Sequence, residues 1–343
     1  MSRPVISLVL PIYNEAEVIP ELHRRLLAFL EQIKVKAEVI FVNDGSKDES
    51  FELLRGLAAS ESRYRVVSFA RNFGHQTAIT AGVDYASGEA VVVMDADLQD
   101  PPEVVLAMIE KWRQGFDVVY ARRGKREGET WFKLLTARLF YRVFAAMIPI
   151  TVPLDTGDFR LMSRRVIVAL RELKETHRFV RGMVAWVGFK STDVVYDRPE
   201  RFAGKTKYPL RKMIRFALDG ITSFSVLPLR FSTYLGMVMI VVSFGVAIWA
   251  LLAKLVFQRT VPGWTATVII IVMFASVQLL MTGILGEYVG RIYEEVKRRP
   301  LYVVGETVNL WRELLEESNE LKAPRILDSP ETDGSMPARS IPS

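Results

Sequence analysis

Asp95 and Asp97 stand either side of one small residue, directly after the apolar run Ala90 to Met94 and just before Gln99, Asp100 and Pro101-Pro102. Hard oxygen donors in so short a span suit Mg²⁺ or Mn²⁺, which bind through one or two carboxylates and keep coordination sites for phosphate oxygens and water. Such an ion would neutralise a leaving diphosphate. A bare Asp-x-Asp also describes a solvated turn or a helix cap; its place at a strand end, with Gln99 close behind, favours metal. Other chemistries fall away. The absence of cysteine excludes disulfides, thiolate metal sites and cysteine nucleophiles, and fits a reducing compartment. His23, His75 and His177 are too scattered for a metal or proton-relay set, so each reads as structural or solvated. Asp155-Thr156-Gly157 spells the triplet of aspartic proteases, but proteolysis needs two such carboxylates and the chain has one copy. Gly204-Lys205-Thr206 resembles the end of a phosphate-binding loop, yet Pro199 stands where the first glycine is required, which removes ATP hydrolysis.

These residues must be carried by a scaffold, and the first part of the chain supplies one. Short apolar runs alternate with amphipathic segments, the pattern of strands and crossover helices in a mostly parallel sheet. Buried strands are expected at Ile6 to Leu10, Glu38 to Val42, Arg65 to Phe69, Ala90 to Met94 and Asp117 to Tyr120. Polar clusters follow them: Asn14-Glu15, Asn43-Asp44-Gly45-Ser46, Arg71-Asn72 and Asp95-Ala96-Asp97. Ligands of open α/β sheets bind beyond the carboxyl ends of the strands, so these clusters should converge on one site.

The remainder is of a different kind. Phe231 to Ala253 and Thr260 to Gly286 contain no charged residue. Each is long enough to cross roughly 30 Å of hydrocarbon as a helix, which takes about 20 residues. The short connection between them predicts a transmembrane hairpin over 231–290. Arg211, Lys212, Arg215 and Arg230 precede it and Arg291, Lys297, Arg298 and Arg299 follow it, against Lys254 and Arg259 at the turn. That bias places both ends in the cytoplasm. Met1 to Tyr13 lacks the basic and long apolar regions of a signal peptide, which also predicts a cytoplasmic start. Segments near 133–147 and 207–224 combine helical apolar spacing with Arg138, Arg142, Arg211, Lys212 and Arg215, as interfacial helices do. The expected division is a catalytic domain over 1–230, the hairpin, and a tail over 291–343 that is disordered after about 323 on its Pro, Ser and charge content. A formal charge of +6 over 343 residues suits an anionic partner or a membrane surface.

Four stretches occur in a telling order: Val9-Leu10-Pro11-Ile12-Tyr13-Asn14-Glu15, Val42-Asn43-Asp44-Gly45-Ser46, Asp95 through Glu103, and Gly157-Asp158-Phe159-Arg160-Leu161. Together they resemble family 2 glycosyltransferases, in the branch of dolichyl-phosphate mannose synthases and bacterial polyprenyl-phosphate glucosyltransferases. Gly286 to Tyr293, after the hairpin, is similar to the bacterial members. The resemblance implies an α/β GT-A fold, with Pro11, Tyr13 and Glu15 lining the base and ribose pocket and Asp44 bonding the base. It implies that Asp95 and Ala96 contact the nucleotide-sugar, and that Asp95, Asp97 and Gln99 hold the Mg²⁺ or Mn²⁺. Asp97 and Asp158 are then the catalytic candidates. Asp158 matches an aspartate that the family places near the acceptor and that is commonly given the role of base. A polyprenyl phosphate is largely ionised at neutral pH, with a second pKa near about 6, so orienting the acceptor is a role of equal standing.

A guanidinium fork matches phosphate oxygens, which makes Arg122, Arg138 and Arg160 candidates for the acceptor phosphate, with Arg201, Lys205 and Lys207 on a loop. The expected reaction is inverting transfer of a sugar, with UDP-glucose and undecaprenyl phosphate as the leading pair and GDP-mannose or a modified UDP-sugar as the alternative donor. Expected partners are the donor, the lipid acceptor, the membrane and further copies of the chain, a tetramer among the options, with no nucleic acid. A processive polysaccharide synthase would require many more spans and a Gln-x-x-Arg-Trp-type motif, and neither occurs. A non-catalytic adaptor would have little reason to hold Asp95, Asp97 and Asp158 intact.

Overall fold

The computed structural model describes residues 4–124, 156–197, 225, 227–255 and 263–310. Strand β1 (Ile6–Ile12) is buried at every position. A strand covered by helices on both faces has no solvent side to place polar residues on, so it reads as an unbroken apolar run. β4 (Ala90–Val93) follows the same rule, and β2 (Ala37–Asn43) and β3 (Tyr64–Phe69) are as enclosed but carry the buried Glu38, Arg65 and Ser68 among their apolar residues. The first crossover, α1 (Ile19–Gln32), starts with proline in its first turn and buries Ile19, Leu22, Leu26, Phe29 and Leu30 as one stripe. α2 (Ser50–Ser60) buries Ser50, Leu54 and Ala58, spaced by four.

The described residues form an eight-stranded sheet in the order β7 (Ser191–Tyr196), β5 (Val118–Arg123), β6 (Thr156–Ser163), β4, β1, β2, β3 and β8 (Val304–Val308). β1 pairs in parallel with both β2 and β4, and β2 with β3. The chain therefore winds outward from β1 to β3 and then returns to the other side of β1. That reversal opens a crevice at the carboxyl ends of β1 and β4. α3 (His75–Tyr85) crosses back over β1, with Ala78 through Val83 buried. Gly82 lets it lie flat: a Cβ there would stand 2.1 Å from Val9 Cγ1. The close approach holds the amino end of α3 over the crevice.

α4 (Val104–Arg113) leads to β5 (Val118–Arg123). β6 (Thr156–Ser163) is inserted antiparallel between β4 and β5. Because it runs against β4, its first residues lie at the carboxyl end of β4. Arg160 pairs with Val93, so two residues further along, Asp158 stands level with Asp95. α5 (Arg164–Glu172), α6 (Val180–Trp186) and β7 (Ser191–Tyr196), which is parallel to β5, complete this edge. Three of these strands extend the sequence expectation. β6 supplies the antiparallel element, β7 one edge, and β8 (Val304–Val308), antiparallel to β3, the other. β8 lies within the 291–343 segment read as a tail and caps the β3 edge, whose backbone groups would otherwise stand open.

At the end of the sheet away from the crevice, Glu38 and Arg65 are 2% and 6% exposed and form a buried ion pair. Ser7 and Ser87 hydroxyls also donate to Glu38 Oε1.

α7 (Leu227–Leu255) and α8 (Trp264–Lys297) are long and apolar enough to cross a membrane, with mean hydropathy 1.6 over Leu227–Val246 and 1.2 over Met273–Lys297. Neither window is buried, and Leu279 is 73% exposed. The expected segments 133–147 and 207–224, and the chain after 310, lie outside the described residues.

Candidate functional site

Four loops meet at the crevice, and short side chains lace them together. After β1, Asn14 takes a left-handed φ of 53°. Its backbone N–H donates to Ser46 Oγ at 3.0 Å, and its Oδ1 accepts from Lys47 N–H at 2.8 Å. Glu15 N–H donates to Ser50 Oγ at 2.9 Å. The loop after β1 is thus fixed to the loop after β2. Pro11 is buried beneath them and Tyr13 is 36% exposed at the rim.

Gly45, at φ +62°, allows the second loop to touch the third: a Cβ would meet Arg71 C at 2.4 Å. Beside it Asp44 accepts from Phe73 N–H at 2.6 Å, from Gly74 N–H at 3.0 Å and from Asn72 Nδ2 at 2.9 Å. Burial raises the Asp44 carboxyl, and the Phe73 and Gly74 amides work in the opposite direction. Both Asp44 oxygens are therefore engaged by residues 72–74, and their first effect is to fix the loop that delivers His75.

The fourth loop follows β4. Leu98 is left-handed at φ 62°, a conformation that disfavours a side chain by about 1–2 kcal/mol. Asp100, 2% exposed, offsets it by accepting from Asp95 N–H at 3.1 Å and from the Tyr196 hydroxyl at 2.9 Å. Asp97 Oδ1 accepts from Gln99 N–H at 3.1 Å. The turn leaves the Asp95 side chain half-buried and facing His75, whose Nε2 is 3.6 Å from Asp95 Oδ1.

The same nitrogen lies 3.2 Å from Asp158 Oδ2. Asp158 is 4% exposed and is gripped from several directions. Arg181 donates Nε to Oδ1 at 2.8 Å and Nη2 to Oδ2 at 3.0 Å, and Gln76 Nε2 reaches Oδ2 at 3.3 Å. Arg160 Nη2 reaches Oδ1 at 3.3 Å. Burial alone would raise the Asp158 carboxyl, but Arg181, His75 and Arg160 together hold it well below the usual carboxylate range. For His75, burial would lower the imidazole; the bond to Asp158 and the charges of Asp95 and Asp158 outweigh it and push it up to about 9.

Asp95 is raised, by burial first and then by the charges of Asp158 and Asp97, with His75 opposing. That is the condition a cation relieves. Among the described residues no three His, Asp or Glu side chains converge to hold a metal unaided. Two carboxylates with an amide nearby fit an ion that completes its shell from phosphate oxygens and water.

The candidate phosphate ligands divide. Arg160 is 1% exposed, with Nη2 on Gly157 O at 2.9 Å. A side chain so enclosed does not reach a ligand in the crevice; it supports Asp158 from beneath. Arg122 is half exposed at the end of β5 and ion-paired with Asp193. Arg138, Arg201, Lys205 and Lys207 lie outside the described residues. In exchange the fold brings in Gln76 and Arg181, absent from the sequence reading, and corrects the reading of His75 as structural or solvated, since pairing of distant strands sets its Nε2 between Asp95 and Asp158. His75 ends a run that begins with the Arg71-Asn72 strand-end cluster, a signal that extends to it; Arg181 has no such signal.

Residues 7–171 match the model of Glycosyl transferase family 2. The uncharacterized glycosyltransferase YkcC of Bacillus subtilis (strain 168) is 52% identical over 305 residues, covering 89% of this chain and 94% of that protein. The uncharacterized glycosyltransferase sll0501 of Synechocystis sp. is 46% identical over 314 residues, 92% of this chain and 99% of that one. The SfII prophage-derived bactoprenol glucosyl transferase of Shigella flexneri is 42% identical over 299 residues, 87% of this chain and 97% of its own length.

Proposed function

This chain belongs to glycosyl transferase family 2, with the GT-A sheet of that family, and from that premise we propose that it moves glucose from UDP-glucose onto undecaprenyl phosphate at a membrane surface. The lipid acceptor is supported by the similarity to a bactoprenol glucosyl transferase and by two apolar helices on the same chain. The observation that carries the reading is the bridge at the crevice. One His75 nitrogen stands 3.6 Å from Asp95, on the donor side, and 3.2 Å from Asp158, on the acceptor side.

The reaction is a single displacement. A phosphate oxygen of the acceptor bonds to the anomeric carbon, the bond from that carbon to the diphosphate breaks, and the diphosphate departs with the electron pair. Configuration inverts. Pro11, Tyr13 and Glu15 line the nucleoside pocket, with Asp44 and Ala96 shaping its floor. A divalent ion held by Asp95, Asp97 and Gln99 would neutralise the departing diphosphate. Asp158 orients and does not accept a proton. A carboxylate stabilised as an anion by two arginines and a histidine is a weak base, and an ionised acceptor phosphate has no proton to give. Arg181, with its side chain 31% exposed and fixed in a bidentate grip on Asp158, presents the cationic surface to that phosphate. Arg122 stands further out on the same side.

The distribution of Lys and Arg about the hairpin supports placing both of its ends, and the catalytic domain, on the cytoplasmic face. Holding the domain against the bilayer lets a lipid-borne phosphate reach the crevice without leaving the membrane. The exposed apolar faces of α7 and α8 suit lipid and further copies of the chain.

The test is transfer of radiolabelled sugar to undecaprenyl phosphate in detergent from UDP-glucose, other UDP-sugars and GDP-mannose, with and without Mg²⁺ or Mn²⁺. A metal-dependent, organic-extractable product from UDP-glucose is expected. Product only from GDP-mannose would replace the donor, and no lipid product from any donor would remove the acceptor assignment.

A further inference from the structure

The charge-free run of the second membrane helix ends at Gly286, but α8 continues for about three more turns, roughly 16 Å, to Lys297. Those turns touch the catalytic domain. Thr176 donates its backbone N–H to Glu295 Oε1 at 2.7 Å and its hydroxyl to Glu295 Oε2 at 3.0 Å. The neighbouring His177 Nε2 lies 2.6 Å from Glu294 Oε2. Past the helix, Tyr302 stacks on Phe69 at 5.1 Å and donates to Asp84 Oδ2 at 2.9 Å.

Thr176 belongs to the segment that joins α5 to α6. Residues 173–179 form neither helix nor strand. Within them the backbone N–H groups of Leu173 and Arg178 bond to Leu170 O and Thr176 O. A segment with so little regular bonding takes its position from side chains, or it spreads over many conformations. Glu295 supplies two oxygens to one residue of it. Five positions later in the chain is Arg181, the bidentate partner of Asp158. Between the two, Val180 N–H donates to Gln76 Oε1 at 3.1 Å, and Gln76 itself reaches Asp158. The path from α8 to the acceptor side of the crevice is therefore Glu295, Thr176, Val180 and Arg181, over a few residues and with a defined bond at each end.

We propose that Glu295 is a positioning residue for the transfer. Its clamp on Thr176 fixes the amino end of α6, so that Arg181 meets Asp158 and the acceptor phosphate only while the end of α8 is seated on the catalytic domain. The anchor that holds the protein at the bilayer thereby completes the acceptor side of its site. This rests on the reading of Arg181 and Asp158 as that side.

The test uses the full chain in detergent or nanodiscs, comparing wild type with E295A, E295Q and T176V by hydrogen–deuterium exchange and by steady-state transfer. Glutamine can still accept from the Thr176 N–H and donate to its hydroxyl, so E295Q separates the clamp from the charge. Exchange across 174–181 in E295A should rise at least about tenfold, the least expected when the two hydrogen bonds that Thr176 donates to a charged group are lost together. Exchange in Ile6–Ile12 should not change, which controls for folding. The kcat for lipid should fall by a similar factor in E295A, less in T176V, and recover to within about threefold in E295Q, with the donor KM within about twofold throughout. Unchanged exchange across 174–181 in E295A, equal kcat losses in E295A and E295Q, or a loss confined to donor KM would each overturn the proposal. If wild type makes no lipid product, the functional reading fails while the exchange comparison still decides the clamp.

Discussion

Replacing Asp158 by asparagine separates orientation from proton transfer, and the structure sets what each would look like. Asp158 receives five donated bonds: two from Arg181 and one each from Arg160, Gln76 and the Nε2–H of His75. Asparagine keeps the shape, but it replaces one acceptor oxygen with an NH₂ that faces donors, and it leaves the 1% exposed Arg160 without a counter-ion among the described residues. Removing one partner from a buried charge pair costs about 3–5 kcal/mol, a large share of the about 5–15 kcal/mol that a domain holds. Thermal unfolding should therefore shift down clearly, and kinetics belong at low temperature.

The sign of the pH dependence follows from the lowered Asp158 carboxyl. Its contribution is complete above the unfolded-state value of about 3.9 and is lost as pH falls towards the folded value. The stability gap between wild type and D158N should be full between about pH 5 and the unfolded-state histidine value of about 6.5, close in more acid solution, and narrow as pH rises towards about 9, where His75 loses the proton that Asp158 holds on it.

Activity should behave differently. With Asp158 ionised throughout, the acid limb of kcat/KM for lipid belongs to the acceptor phosphate and should fall about tenfold per pH unit below about 6. D158N should lower the plateau by about 10²–10³, as loss of a preorganised electrostatic group does, and leave the limb where it is. A phosphonate acceptor of higher second pKa should move the limb upward in both proteins. A limb that disappears in D158N, or that ignores the change of acceptor, would refute the argument and return the role of base to Asp158.

Two further outcomes follow from the same geometry. Alanine at Asp95 or Asp97 should abolish transfer and Mn²⁺-dependent UDP binding by calorimetry while leaving the unfolding transition in place; retained activity in either would remove the metal assignment. G82A should destabilise the protein by about 1–3 kcal/mol in denaturant melts, because its methyl group would stand 2.1 Å from Val9 Cγ1, and should also raise the donor KM by shifting the amino end of α3.

Much of this protein is legible in one dimension, for a physical reason. Strands β1 to β4 are enclosed on both faces, so their burial is written as mostly apolar runs, broken by Ser7, Glu38, Arg65 and Ser68, and the loops after them carry polar residues that neighbouring loops require. The charge-free runs within α7 and α8 declare themselves the same way, as apolar stretches long enough to cross hydrocarbon. β7 and β8 lie at sheet edges with mixed exposure, and a short half-exposed strand leaves no periodic mark. Only the antiparallel insertion of β6 sets Asp158 level with Asp95 and places it against His75, 83 positions earlier in the chain. The same folding encloses Arg160 and turns Arg181 inward, although both are arginines near the motif in sequence. Residue type and spacing determined which chemistry the chain carries. Pairing register and burial, which depend on segments far apart in sequence, decided which of its charged side chains meet.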